Sequence, residues 1–125
     1  MINLERKKVL LTGASGGIGK AIANELSSLG ADICLTGRNE EELNKLKNEL
    51  EGYSDYILAD LSKHNEIEKL VEDAENKLGQ IDILINNAGI TEDNIFLRMS
   101  DEQWSNVINI NLTSTFKITK AAVKG

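Results

Sequence analysis

The chain has 125 residues, about the size of one domain. Hydrophobic residues make up 41% and charged residues 27%, the mix of a soluble globular protein rather than a disordered or fibrous one. A net charge of -6 and a pI of about 4.8 exclude a general attraction to nucleic acid or an anionic membrane, so any site for an anionic ligand has to be built locally from backbone N–H groups and a few placed cations.

Val9-Leu10-Leu11-Thr12 is a compact apolar run that ends in a glycine turn, and it predicts a buried strand. Ile18, Ile22, Leu26 and Leu29 then recur at helical spacing, and Gly30 stops that helix. Residues 31–36 predict a second strand. Asn39 caps a second helix whose first turn holds Glu40, Glu41 and Glu42, favourable beside the positive end of the helix dipole. Its apolar face is Leu43, Leu46 and Leu50. A third strand covers 56–59 and closes at Asp60. Ile67, Leu70, Val71, Ala74 and Leu78 mark a third helix, which Gly79 ends. A fourth strand covers 81–85 and closes at Asn86. Ser100 and Gln103 form a capping box, so a long final helix is expected from near Asp101 to the end of the chain.

The order βαβαβαβα, with strands apolar along their length, predicts a Rossmann-type doubly wound parallel sheet covered on both faces. Right-handed crossovers give the spatial order 3-2-1-4 and put a ligand crevice between strands 1 and 4, beyond their C-terminal ends. Three groups fall at such ends: Gly13 to Gly19, Asp60, and Asn86 to Gly89. With no proline, repeat or low-complexity segment, residues 1–125 read as a single domain. Cys34 is the only cysteine, which rules out an internal disulfide and fits a reducing compartment. The charged start of the chain leads into no signal-length apolar run, and no stretch approaches the roughly 18 apolar residues of a membrane span. The expected location is the cytoplasm.

The turn at 12–19 carries the chemistry. Gly13 allows a sharp exit from the strand, Gly17 lets backbone approach a pyrophosphate, and Gly19 lets the new helix pack closely. The helix N-terminus supplies N–H donors and a positive dipole end. The spacing is G-x-x-x-G-x-G. At the end of strand 2 an acid would accept the 2′-hydroxyl of NAD, but here Arg38 stands in Thr36-Gly37-Arg38-Asn39 and can pair with a 2′-phosphate. NADP is therefore favoured, although Gly16 stands where a second cation is often found. Asp60 is either an acceptor for an adenine amino group or a cap for the next helix. Asn86 and Asn87 can tie neighbouring strand ends together, while Ala88-Gly89 leaves room for a ribose and ring. Asn111, placed midway along the final helix among apolar neighbours, should have a polar task, whereas Asn109 is read as solvated. His64 reads as a surface residue, and no metal-ligand spacing occurs.

Together, Thr12-Gly13-x-x-x-Gly17-x-Gly19, Asp60, Asn86-Asn87-Ala88-Gly89 and Asn111 resemble the short-chain dehydrogenase/reductase family over the whole chain. Asn87 to Asn94, Arg98-Met99 and the segment from Asn111 to Ala121 are similar to its bacterial 3-oxoacyl-acyl-carrier-protein reductase branch. The resemblance implies NADPH-dependent reduction of a β-ketoacyl thioester carried on acyl carrier protein, as in fatty acid synthesis, by a homo-oligomer that is commonly a tetramer. It implies cofactor contacts at Gly13, Ser15, Gly16, Gly17, Ile18, Gly19, Arg38, Asp60, Leu61, Asn87, Ala88 and Gly89, and a proton-relay role for Asn111. The family's Tyr-x-x-x-Lys and Ser lie on later elements. Tyr53 and Tyr56 are followed four residues on by Ile57 and Asp60, not Lys. The 125 residues thus read as an N-terminal fragment, inactive alone, with strand 4 left as an exposed edge. The alternatives are a nucleotide-binding module without catalysis, a half completed by a second chain, or another short-chain reductase such as an acetoacetyl-CoA reductase.

Overall fold

A computed structural model describes residues 3–61, 63–87 and 99–111. The elements run β1 (Lys8–Leu11), α1 (Gly17–Ser28), β2 (Asp32–Gly37), α2 (Glu40–Glu49), β3 (Ser54–Leu58), α3 (His64–Leu78), β4 (Ile83–Asn86), α4 (Asp101–Ser105) and β5 (Ile108–Asn111). The strands form one parallel sheet in the order β3-β2-β1-β4-β5. The expected α/β architecture and the order 3-2-1-4 hold, and β5 extends that order by one strand.

Strand side chains alternate between faces, so each strand feeds two cores. Val9, Leu11, Ile33, Leu35, Ile83 and Ile85 pack with Ile22 and Leu26 of α1 and with Leu43 and Leu46 of α2. Leu10, Cys34 and Leu84 point the other way, onto Ile67, Leu70, Val71 and Ala74 of α3. Twelve of the largest side chains here are less than 2% exposed, so neither layer can be removed without opening a cavity. Helix ends follow local chemistry: Asn39 Oδ1 accepts the Glu42 N–H at 3.1 Å, as the N-cap reading expects.

The expected helix from Asp101 to the chain end needs correction. Its start is as foreseen, with reciprocal bonds from the Ser100 N–H to Gln103 Oε1 (2.8 Å) and from the Gln103 N–H to Ser100 Oγ (3.1 Å). The helix stops at Ser105, and residues 108–111 continue as β5, parallel to β4 with Ile83 opposite Ile108 and Asn86 opposite Asn111. The physical reason lies in Ile108-Asn109-Ile110-Asn111. It alternates a β-branched residue with asparagine, a period-two pattern of poor helix formers, beside a strand edge whose backbone groups need partners. The Ile108 N–H takes the Asp82 carbonyl at 2.8 Å. Asn111 is therefore a strand-end residue rather than a mid-helix one, and β4 is an interior strand rather than an exposed edge.

Candidate functional site

Three chain segments converge at the C-terminal ends of β1, β2 and β4. Thr12, fully buried, is the joint between two of them. Its hydroxyl donates to Asn86 Oδ1 at 3.0 Å and accepts the Asn87 N–H at 2.8 Å, while the Thr12 N–H donates to the Ile85 carbonyl at 3.0 Å. Asn87 Nδ2 reaches the Gly13 carbonyl at 3.3 Å. The two asparagines thus tie the ends of β1 and β4, the task the sequence suggested for them. In the sequence Thr12 carries no role beyond opening the glycine motif; its own signal is a hydroxyl closing an otherwise apolar run. Asn86 is buried, and among the described residues its Nδ2 has no hydrogen-bond partner.

The glycine turn has two different kinds of glycine. Gly13 has φ +64°, and a Cβ there would meet the Asn87 backbone at 3.2 Å. A Cβ on Gly19 would fall 2.2 Å from the Gly13 carbonyl oxygen and 2.7 Å from Ala14 Cα, so the start of α1 is packed directly onto the turn. Gly16 and Gly17 are the opposite case. A Cβ on Gly16 would meet only the Gly13 oxygen at 3.8 Å, and one on Gly17 nothing within 4 Å. Among the described residues nothing fills the space above Gly17, and Ile18 beside it is 36% exposed.

Gly16 is the N-cap of α1 and offers no side-chain hydrogen bond, and the first turn has no acid. With neither a side-chain cap nor an acid in the first turn, the helix's own residues leave its positive end uncompensated. An anion is what such an end takes.

The second side of the crevice is the end of β2. The Ala14 N–H donates to the Thr36 carbonyl at 3.0 Å, and a Cβ on Gly37 would lie 3.1 Å from Ser15 Oγ, so the glycine turn rests against this strand end. Arg38 follows, exposed to solvent. Asp60 and Leu61 come next, past the end of β3. The Asp60 N–H donates to Glu66 Oε1 at 2.9 Å and its carbonyl accepts the Lys63 N–H at 3.0 Å, which fixes the turn into α3. The N-cap of α3 is Lys63, so Asp60 shapes the approach to that helix without being its cap residue. Asn111 stands opposite Asn86, at the C-terminal edge of the sheet. Ala88 and Gly89 lie outside the described residues.

Other polar groups take no part. Cys34 is buried under α3; burial first, and then the Asp55 carboxylate, push its thiol up to about 12, so it is an inert core residue. The Tyr56 hydroxyl donates to Glu40 Oε2 at 3.2 Å; burial and that carboxylate raise its pKa, and it sits on the outer strand β3. A cleft of about 540 Å³ lined by Glu75, Asp82, Glu102 and Gln103 opens at the N-terminal end of β4, and its carboxylates are the wrong sign for an anionic ligand. No group of three His, Cys, Asp or Glu side chains among the described residues is placed to hold a metal, and no described helix is long and apolar enough to cross a membrane.

Comparison with known proteins agrees with this geometry. Residues 7–125 match the family model for short chain dehydrogenases. The chain is 46% identical over 120 residues to nodulation protein G of Rhizobium sp. (strain N33), covering 96% of this chain and 49% of that protein. It is 38% identical over 123 residues to the 3-oxoacyl-acyl-carrier-protein reductase FabG of Escherichia coli, covering 98% and 50%. The crystal structure of a 3-ketoacyl-(acyl-carrier-protein) reductase from Brucella melitensis complexed with NADH superposes with a TM-score of 0.66 at 35% identity, over 70% of this chain and 36% of that one. The chain spans about half the length of the curated relatives it matches.

Proposed function

The chain belongs to the short-chain dehydrogenase/reductase family, and from that premise we propose that it is the N-terminal, cofactor-binding part of an NADP(H)-dependent 3-oxoacyl-acyl-carrier-protein reductase. The observation that carries the reading is the uncapped start of α1, open above Gly16 and Gly17 and flanked by Arg38 at the end of β2. The α1 N–H groups would hold the pyrophosphate. Arg38 would pair with the 2′-phosphate, and nothing acidic stands at the strand end to receive a bare 2′-hydroxyl. Gly13, Ser15, Ile18 and Gly19 would shape the turn under the cofactor. Asp60 and Leu61 would border the adenine, and Asn87, Ala88 and Gly89 the nicotinamide ribose. The bound cofactor would supply a hydride to the ketone carbon of a β-ketoacyl thioester carried on acyl carrier protein.

This chain's own residues would bind and orient the cofactor rather than move the proton. Neither of its tyrosines has a lysine four residues on, and Tyr56 is committed to Glu40. Asn111, at the end of β5 beside the crevice, would hold a water for a proton relay completed by residues other than these. A cytoplasmic tetramer is the assembly this reading carries with it. Titration with NADPH and NADH tests the cofactor assignment. Arg38→Ala is expected to weaken NADPH by about tenfold or more, the size of one charge-assisted pair, with NADH little changed. Equal loss for both cofactors would refute the role given to Arg38.

A further inference from the structure

Arg38 is a poor match for a 2′-phosphate if it acts alone. Such a group carries a charge of about -1.5 to -2 at neutral pH. Arg38 supplies one positive charge, and Glu40, Glu41 and Glu42 follow it in the first turn of α2. Those carboxylates suit the helix dipole but oppose a phosphate arriving beside them. A second cation would offset that charge, and Lys20 is linked to this strand end through α2.

Lys20 lies one turn into α1, its N–H donating to the Gly16 carbonyl at 2.9 Å. Side chains on a helix lean toward its N-terminus, which directs Lys20 back toward the turn that starts at Gly16. Gly16 itself adds no side chain there. The Lys20 ammonium is bonded to the Glu42 carboxylate, which bridges α1 to α2. Glu42 is itself anchored through its N–H to Asn39, the neighbour of Arg38. The bond to Lys20 holds the Glu42 carboxyl below its ordinary value. Both side chains are more than a third exposed, 38% and 35%, and an ion pair this open exchanges partners readily.

We propose that Lys20 is the second cation of the 2′-phosphate site, held by Glu42 while the site is empty and turned onto the phosphate when NADP(H) binds. The assignment rests on the cofactor reading above. It makes Lys20 and Glu42 a specificity pair. Lys20 adds attraction for the phosphorylated cofactor alone, and Glu42 sets how much of that attraction is available.

The test uses two small probes that report only on the adenosine side, 5′-ADP and 2′,5′-ADP. They are titrated calorimetrically at low salt into the wild type, Lys20→Gln, Glu42→Gln and the double variant, each checked for an unchanged thermal midpoint. Lys20→Gln is expected to weaken 2′,5′-ADP by about three- to tenfold, the range of one partly exposed charge-assisted bond, with 5′-ADP unaffected. Glu42→Gln is expected to tighten 2′,5′-ADP by about two- to fivefold, and this gain is expected to shrink in the Lys20→Gln background. If Lys20→Gln leaves 2′,5′-ADP binding unchanged, or weakens both probes alike, the Lys20 assignment is wrong while the cofactor reading stands. A wild type that binds neither probe would remove the cofactor reading and the Lys20 assignment with it.

Discussion

Gly17 and Gly19 stand two residues apart in one turn, and the structure gives them opposite reasons for lacking a side chain. In Gly19→Ala the new methyl would lie 2.2 Å from the Gly13 carbonyl oxygen and 2.7 Å from Ala14 Cα. Both are backbone atoms of a turn hydrogen-bonded to β2, so neither can rotate away. Relief requires α1 to lift off the sheet, which loosens Ile22 and Leu26 in the core. Overpacking of this kind costs about 1–3 kcal/mol, and the severity of the contact puts Gly19→Ala at the upper end. Gly17→Ala meets nothing within 4 Å. Exchanging Gly for Ala within a helix is favourable by up to about 1 kcal/mol, so this variant should be as stable as the wild type or slightly more so. Its methyl would nevertheless occupy the space assigned to the pyrophosphate, and dinucleotide affinity should fall by about tenfold or more. Urea denaturation and NADPH titration on both variants give four numbers. The expected pattern is stability lost at Gly19 and binding lost at Gly17 with stability kept. A Gly17→Ala protein that binds NADPH like the wild type would refute the placement of the phosphates, and a Gly19→Ala protein of wild-type stability would refute the packing argument.

Further outcomes follow from the same coordinates. Thr12→Val keeps the shape of a fully buried residue but strips partners from the Asn87 N–H and Asn86 Oδ1, and should lower stability by about 1–3 kcal/mol in denaturant unfolding. Cys34 should resist thiol reagents in the native state and react on unfolding. Its folded value is raised from 9.0 to about 12, so above pH 9 the unfolded chain loses a proton that the folded chain keeps. Stability should therefore fall by up to about 1.4 kcal/mol per pH unit above that point, and Cys34→Ala should flatten the slope; an unchanged slope would count against the assignment. The Ile108 amide, bonded to the Asp82 carbonyl, should be protected in hydrogen exchange, and Ile108→Pro should release β5 without unfolding β1 to β4. Unbroken helical protection from 101 through 111 would show that the segment is not a strand.

What could be read from the sequence depended on how local the cause was. The strands next to Gly13, Asn39 and Asn86 were legible because short apolar runs between turn residues leave few alternatives, and their order followed from crossover handedness. The glycine turn was legible because spacing encodes its geometry, down to the close contact at Gly19. The stretch 106–111 was not. Ile108 and Ile110 fit an apolar stripe on a helix about as well as one face of a strand, and the choice was made by the open edge of β4, which sits more than twenty residues away in sequence. The Lys20–Glu42 pair was hidden for the same reason. Each residue alone reads as a solvated charge, and only the packing of α1 beside α2 brings them together.

The hydroxyl of Thr12 joins parts of the chain that are 74 and 75 residues apart in sequence. The β1–β2 and β2–β3 pairs join elements that follow one another along the chain, whereas β1 meets β4 only after both intervening βα units have been laid down. Closing so long a loop carries an entropic cost that grows as about (3/2)RT ln n, so this junction is expected to form late in folding. A chain in which that junction has not formed lacks the crevice between β1 and β4. A ligand that binds there stabilises the last-formed contact by mass action, and cofactor concentration should set how often the sheet comes apart at its middle.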